Sequence, residues 1–145
     1  MSALPSTTAG SGATTGTPMI GVLRVLLLVE AAGGLVVTIF LSMLASEFEA
    51  TGADTDLDRA ISIRFAAAAV FLFAVFAAIA SRGARRRRGW AWTMAAILQV
   101  LLAIGAGIAI IVVDWQPYFL GGFGAAVAVM LVLSTASVRR ALGQE

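Results

Sequence analysis

Four polar side chains interrupt apolar segments of this sequence and are its strongest candidates for chemistry. Arg24 and Glu30 lie within the run LRVLLLVEAAGG, and Arg64 and Gln99 lie within two later apolar runs. A carboxyl group in such a setting can hold or pass on a proton, and amide and guanidinium groups are suitable hydrogen-bond partners for it. We therefore treat Glu30, Gln99, Arg24 and Arg64 as one candidate polar site, whose geometry depends on the surrounding elements.

Two residue types that carry much of protein chemistry are missing, because the sequence contains no cysteine and no histidine. Disulfides, histidine-ligated haem, cysteine-ligated iron–sulfur clusters and Cys/His zinc sites are therefore excluded. Nucleophilic catalysis by a Cys–His or Ser–His pair is excluded as well. With no nucleophile–base pair in the sequence, we expect neither an enzyme nor a bound cofactor.

A cluster of acidic residues follows the first apolar run: Glu47, Glu49, Asp54, Asp56 and Asp58. Such a cluster can attract a divalent cation, but its spacing does not match the ligand positions of an EF-hand loop. Acidic side chains at the start of a helix also complement the helix dipole. We favour this second interpretation, together with a solvated loop, and predict no metal site.

The composition indicates a membrane protein. Hydrophobic residues make up 60% of the chain and charged residues 12%, whereas an ordinary soluble domain has about 25% charged residues. Four continuous apolar runs reach about 20 residues, the length of a helix that crosses a hydrocarbon core of about 30 Å. The predicted fold class is all-α, a four-helix transmembrane bundle with spans at about 19–45, 57–81, 89–113 and 118–138.

The connections between these spans are short, and they favour an up-down-up-down order. An acidic segment covers 46–56, a basic segment covers 82–88, and the turn DWQP covers 114–117. Residues 1–18 are mostly Ser, Thr, Gly and Ala with two prolines and cannot bury a core, so we predict a disordered tail. Residues 141–145 form a predicted C-terminal tail.

The arginines predict the orientation in the membrane. Seven of the ten lie on the side of the two tails and the second connection: Arg82, Arg85, Arg86, Arg87, Arg88, Arg139 and Arg140. The first and third connections hold none, and only Arg59 lies near their face. Cytoplasmic connections carry the excess of positive charge. We therefore predict a multi-pass protein of the bacterial plasma membrane with both tails in the cytoplasm.

The basic segment from Arg82 to Arg88 has two interpretations. Its charges can bind an anionic lipid headgroup or a partner, at about 1 kcal/mol for each arginine near a charged leaflet. Alternatively, the segment only fixes the topology, which is the interpretation we favour because the orientation requires it anyway. Since the charges cluster beside membrane spans, the expected partner is the lipid bilayer and not nucleic acid.

The two arginines inside the spans can both reach a membrane surface. Arg24 lies about 8 Å from the inner end of its span, and Arg64 lies about 10 Å from the outer end of its own. Long side chains at such depths extend to the headgroups. Asp58 and Asp114 are the predicted partners of Arg64, and neither arginine requires a function.

Glu30 differs from the arginines because its short side chain reaches neither surface. Gln99 lies at nearly the same depth in the third span, and the first and third helices run in the same direction in the predicted order. We predict a Glu30–Gln99 hydrogen bond across the bundle interior. An unpaired charge is costly in hydrocarbon, so we expect Glu30 to be the neutral acid.

Small residues recur along three helix faces: Gly34, Thr38 and Ser42; Ala95, Ala103 and Gly107; Gly121, Gly124, Ala125 and Ala128. In lipid, close backbone approach at small residues drives helix association. The sequence therefore predicts packing faces and leaves open whether they pack within one chain. A homo-oligomer or a partner in a membrane complex is the alternative.

In size, number of spans and loop length, residues 19–140 resemble the small uncharacterised four-span membrane proteins of actinobacterial type. The layout is also similar to that of the DoxX-like families, and it carries no functional residue with it. We favour a non-catalytic accessory, assembly or structural subunit. The alternative is a small transport or proton-relay protein that uses the intramembrane carboxylate of Glu30.

Overall fold

The protein is built from helices. The computed structural model describes residues 16–112 and 117–144, and that part of the chain contains no strand. Its helices are α1 (Gly16–Thr51), α2 (Asp54–Arg85), α3 (Gly89–Val112), α4 (Pro117–Ser134) and α5 (Ala136–Ala141).

Among the described residues, three helices are long and apolar enough to cross a membrane: Pro18–Thr51, Asp54–Arg85 and Gly89–Ile108. In α4, the stretch Leu120–Ser134 is apolar but shorter. The all-helical prediction and the membrane character of the chain are therefore supported.

The first connection is much shorter than predicted. Helix α1 continues through Glu47 and Glu49 to Thr51, and α2 begins at Asp54, because residues 46–51 contain no glycine or proline that would end the helix. Gly52 adopts φ +70° and makes the turn, a conformation that glycine accepts without steric cost. At its other end α1 begins at Gly16, so the last three residues of the predicted tail are helical. Residues 1–15 lie outside the described part.

The basic connection and the fourth span are also shorter than predicted. Arg82 and Arg85 belong to the last turn of α2, which leaves only residues 86–88 between α2 and α3. Helix α4 ends at Ser134, and Thr135 is extended before the short helix α5. The predicted turn at 114–117 lies outside the described residues, except that Pro117 begins α4.

The C-terminal segment packs against the helices and is not a free tail up to residue 144. Val138 and Leu142 are fully buried in the same cluster as Leu23 of α1 and Leu133 of α4. Gln144 Nε2 donates a hydrogen bond to the Gly89 carbonyl at 3.2 Å. Helix α5 and the residues after it therefore close the arginine-bearing ends of the long helices.

Helices α1 and α2 form an antiparallel hairpin with a close backbone approach. A Cβ added at Gly34 would lie 3.0 Å from the Ala74 Cβ, so the glycine in the predicted small face of α1 does pack within the chain. At the connection between α2 and α3, a Cβ added at Gly83 would lie 2.7 Å from the Trp90 ring. Small residues thus set the distance of α2 from both of its neighbours.

Large buried side chains occupy only one half of the helices. The main cluster lies toward the arginine-bearing ends, and a smaller cluster of Ala31, Ala77 and Leu98 adjoins it. In the other half, every buried apolar side chain among the described residues is an alanine: Ala45, Ala60, Ala67, Ala74, Ala106 and Ala126. Glu30 and Gln99 lie where the large-residue core ends.

Candidate functional site

The structure brings Glu30 and Gln99 together. Gln99 Nε2 donates a hydrogen bond of 2.7 Å to Glu30 Oε2, so the predicted hydrogen bond is confirmed. Gln99 is 0% exposed, and Glu30 is half-buried. The bond joins α1 to α3. Glu30 directly precedes Ala31, and Gln99 directly follows Leu98; Ala31 and Leu98 belong to the smaller cluster with Ala77, called the central cluster below.

The unusual feature of this pair is that each side chain has one oxygen outside the hydrogen bond: the other carboxyl oxygen of Glu30 and the amide oxygen of Gln99. Glu30 Oε1 and Gln99 Oε1 are both buried, and neither has a hydrogen-bond partner among the described residues. Buried polar atoms without a partner cost free energy and call for an explanation. An ionised carboxylate only accepts hydrogen bonds, whereas a neutral carboxyl group adds one O–H donor. The neutral acid is therefore the form of Glu30 that adds an O–H donor to this pair, beside the N–H donors of the Gln99 amide.

Arg64 lies elsewhere and has a different partner from the ones predicted. Its Nη2 donates to Glu49 Oε2 at 2.6 Å, and both side chains are exposed. The arginine does reach toward the acidic ends of the hairpin, as expected, but it pairs with Glu49 and not with Asp58. The other predicted partner, Asp114, lies outside the described residues. Because α1 extends to Thr51, it carries Glu49 into reach of α2.

Arg24 is also separate from the Glu30–Gln99 pair. The Ser81 hydroxyl donates to the Arg24 carbonyl at 3.4 Å, so this part of α1 lies beside the last turns of α2. The exposed side chain of Arg24 lines a groove with Arg82 and Arg85. The four candidate polar residues thus occupy three places, and only Glu30 and Gln99 form a buried pair.

The acidic residues at the start of α2 stabilise the turn. Asp54 and Asp56 lie in the first turn, where a negative charge complements the helix dipole. Asp56 also accepts from the Thr51 hydroxyl at 2.7 Å and lies 3.6 Å from the Arg59 guanidinium. Among the described residues, no group of three acidic side chains is placed to hold a metal ion.

Sequence reasoning missed Ser81 and the docked C-terminal segment. Ser81 is one of two fully buried polar or charged residues in the described part, with Gln99. A serine within an apolar run gave a signal, but its partner is a backbone carbonyl of another helix, which no sequence pattern identifies. The apolar residues Val138 and Leu142, spaced four apart, were the signal that the C-terminal segment packs.

Comparison of the chain with protein-family models, with curated proteins and with solved structures gives no match. The resemblance in layout to small four-span membrane proteins stays a prediction. Assignment of function therefore depends on the geometry of the chain itself.

Proposed function

We propose that the chain is a four-span protein of the bacterial plasma membrane that acts as a non-catalytic accessory, assembly or structural subunit. In this proposal α1 to α4 form an up-down-up-down bundle, with both termini in the cytoplasm. The arginine-bearing ends of α2 and α5 face the cytoplasm under the positive-inside rule. The acidic turn at Gly52 then faces outward.

Helix contacts support the bundle. Helix α1 contacts α2 and α4, and α3 contacts the same two helices. The Glu30–Gln99 bond joins α1 and α3, which lie on the diagonal of such an arrangement. Helix α4 has 18 residues, about 27 Å at 1.5 Å per residue, close to the thickness of the hydrocarbon core. Trp92 Nε1 in α3 donates to the Leu133 carbonyl at 3.1 Å and ties α4 to it.

The observation that carries the accessory role is the large apolar surface that the chain leaves uncovered. Phe40 is 64% exposed and Phe65 is 75% exposed, in the half where only alanines are buried. Five glycines of α3 and α4 would each accept a Cβ with nothing within 4 Å: Gly105, Gly107, Gly121, Gly122 and Gly124. Open small-residue faces suit close approach by a helix of another chain.

Site-specific photocrosslinking in intact membranes tests this role. A photoreactive amino acid replaces Phe40 or Phe65, and the same replacement at half-buried Phe73, which packs against the central cluster, is the control. We expect protein adducts of defined mass at Phe40 or Phe65 and none between chains at Phe73. Adducts with lipid alone at both exposed positions would contradict the accessory role.

A second candidate function is favoured by the two unpaired buried oxygens. Glu30 Oε1 and Gln99 Oε1 lie in the middle of long apolar helices, where an ionisable residue is a candidate for proton transfer. Under this alternative, Glu30 passes a proton between the two sides of the membrane. A single carboxylate makes a poor relay, so the accessory role is preferred.

Proton flux into liposomes separates the two candidates. The full chain is reconstituted with an internal pH-sensitive dye, and a potassium gradient with valinomycin supplies the driving force. The accessory role predicts the same slow leak in wild type, in Glu30→Gln and in empty liposomes. Flux in wild type that is lost in Glu30→Gln, with the fold retained, would establish the relay, because an amide does not exchange the proton.

A further inference from the structure

A groove between α1 and α2 at their arginine-bearing ends collects positive charge from both helices. It is lined by Arg24, Leu28, Ala78, Ser81, Arg82 and Arg85 and has a volume of about 300 Å³. In the sequence, most of α1 and α2 lies between Arg24 and the other two arginines. The groove is therefore a product of the fold and not of the arginine run alone.

The helix register places the backbones of the three arginines within about one helical turn of each other along the hairpin. The Ser81 hydroxyl bonds to the Arg24 carbonyl, so Arg24 lies beside Ser81. Arg85 lies one turn farther along α2, about 6 Å toward the helix end. In the opposite direction along the hairpin, Leu28 lies one turn of α1 beyond Arg24, toward the middle of the helices, and is 43% exposed. Charge thus lines the rim of the groove, and apolar surface continues toward the middle of the membrane.

This charge is not neutralised within the described part of the chain. The ion pairs there join Arg59 to Asp56 and Arg64 to Glu49, both near the acidic turn. None involves the three arginines of the groove. Guanidinium groups bind phosphate oxygens through paired N–H donors, so an anion with several oxygens fits this rim best.

We propose that the groove binds an anionic phospholipid, with the lipid phosphate between Arg24 and Arg85 and an acyl chain along Leu28. The apolar continuation of the groove favours a lipid over a soluble phosphate, which would leave Leu28 uncovered. The site is more specific than general attraction of the basic segment to a charged leaflet, because it requires Arg24 from α1. It does not depend on the accessory role or on which side of the membrane the arginines face.

Arg87 provides a matched control. It is exposed, it lies in the same basic segment, and it does not line the groove. Its removal lowers the net charge by the same amount as removal of Arg24 or Arg85. Arg82 is unsuitable as a test position because it also lines a second groove with Arg86, Arg88 and Trp90.

Native mass spectrometry of the full chain in detergent, titrated with phosphatidylglycerol or phosphatidylcholine, tests the proposal. We expect preferential binding of phosphatidylglycerol, weakened about fivefold by Arg24→Gln or Arg85→Gln, as expected for about 1 kcal/mol per arginine at an anionic headgroup. Arg87→Gln should weaken binding less than about twofold, because screened charge away from the site contributes little. Arg24→Lys should retain more binding than Arg24→Gln, which separates loss of charge from misfolding.

Three results would overturn the proposal. Equal binding of the two lipids would remove the need for an anionic headgroup. Equal effects of Arg24→Gln, Arg85→Gln and Arg87→Gln would reduce the interaction to the general charge of the segment. Displacement of phosphatidylglycerol by glycerol phosphate at comparable concentration would identify a soluble phosphate as the ligand.

Discussion

The Glu30–Gln99 hydrogen bond can be tested by a double-mutant cycle with methionine. Methionine is unbranched and similar in length to both side chains, so each change removes polar atoms and leaves little void. Glu30→Met leaves the fully buried Gln99 amide without its partner, and Gln99→Met leaves the Glu30 carboxyl group without a donor. Each single change should lower the free energy of unfolding, by about 1–3 kcal/mol for a buried polar group left unpaired.

The double variant should be more stable than the sum of the two single changes predicts. When both partners become apolar, no buried polar group is left unpaired. Hydrogen bonds between helices in membranes contribute about 0.6 kcal/mol on average and up to about 1.7 kcal/mol. This pair is short at 2.7 Å, and one partner is fully buried. We therefore expect a coupling free energy of about 1 kcal/mol.

Equilibrium unfolding in mixed detergent–SDS micelles, followed by circular dichroism, supplies the four free energies. The exposed ion pair of Arg64 and Glu49 provides the control cycle and should give a smaller coupling, since solvent screens exposed charges. A coupling for Glu30 and Gln99 within about 0.3 kcal/mol of zero, the usual error of additivity, would refute the account of the pair.

Two further predictions concern packing at the arginine-bearing ends, and both are measured by the same unfolding assay. Gly83→Ala places a Cβ 2.7 Å from the Trp90 ring and should destabilise the protein by about 1–3 kcal/mol through overpacking. Gly105→Ala is the control: an added Cβ there has nothing within 4 Å, so the change should be neutral or slightly stabilising because alanine favours the helix. Equal effects of the two changes would contradict the close approach of α2 and α3. Leu142→Ala should lower the free energy of unfolding by about 2 kcal/mol or more, because Leu142 is fully buried in the main cluster. Leu131→Ala, at an exposed position, should lower it much less. A Leu142→Ala variant as stable as wild type would mean that the C-terminal segment does not dock.

Periodicity and depth were sufficient to predict the Glu30–Gln99 pair. Both residues lie in continuous apolar helices, and a helix rises by a fixed 1.5 Å per residue. Counting residues from one membrane face therefore places two parallel helices in register. The same arithmetic failed for Arg64, because its partner Glu49 lies in a segment interpreted as a loop. Acidic residues near an apolar run resemble a solvated connection, although no glycine or proline among residues 46–51 ends the helix.

The groove at Arg24 could not be predicted for a different reason. Sequence spacing gives the depth of Arg24 but not the rotation of α1 against α2. That rotation depends on where small residues such as Gly34 and Ala74 meet, which is a property of the packed pair. The end of the fourth span was likewise misplaced, because no glycine, proline or charged residue marks the break after Ser134, and α5 packs back onto the core.

Cysteine accessibility in intact cells tests most directly the central claim, a four-span chain with both termini in the cytoplasm. The sequence has no cysteine, so single cysteines replace exposed Ala53, in the turn after α1, and exposed Ala136, in α5. We expect an impermeant maleimide to label Ala53→Cys in intact cells and to label Ala136→Cys only after permeabilisation. Labelling of both positions in intact cells would mean that α4 does not cross the membrane. Labelling of Ala136→Cys but not of Ala53→Cys in intact cells would mean that the orientation is inverted. Either result would contradict the account.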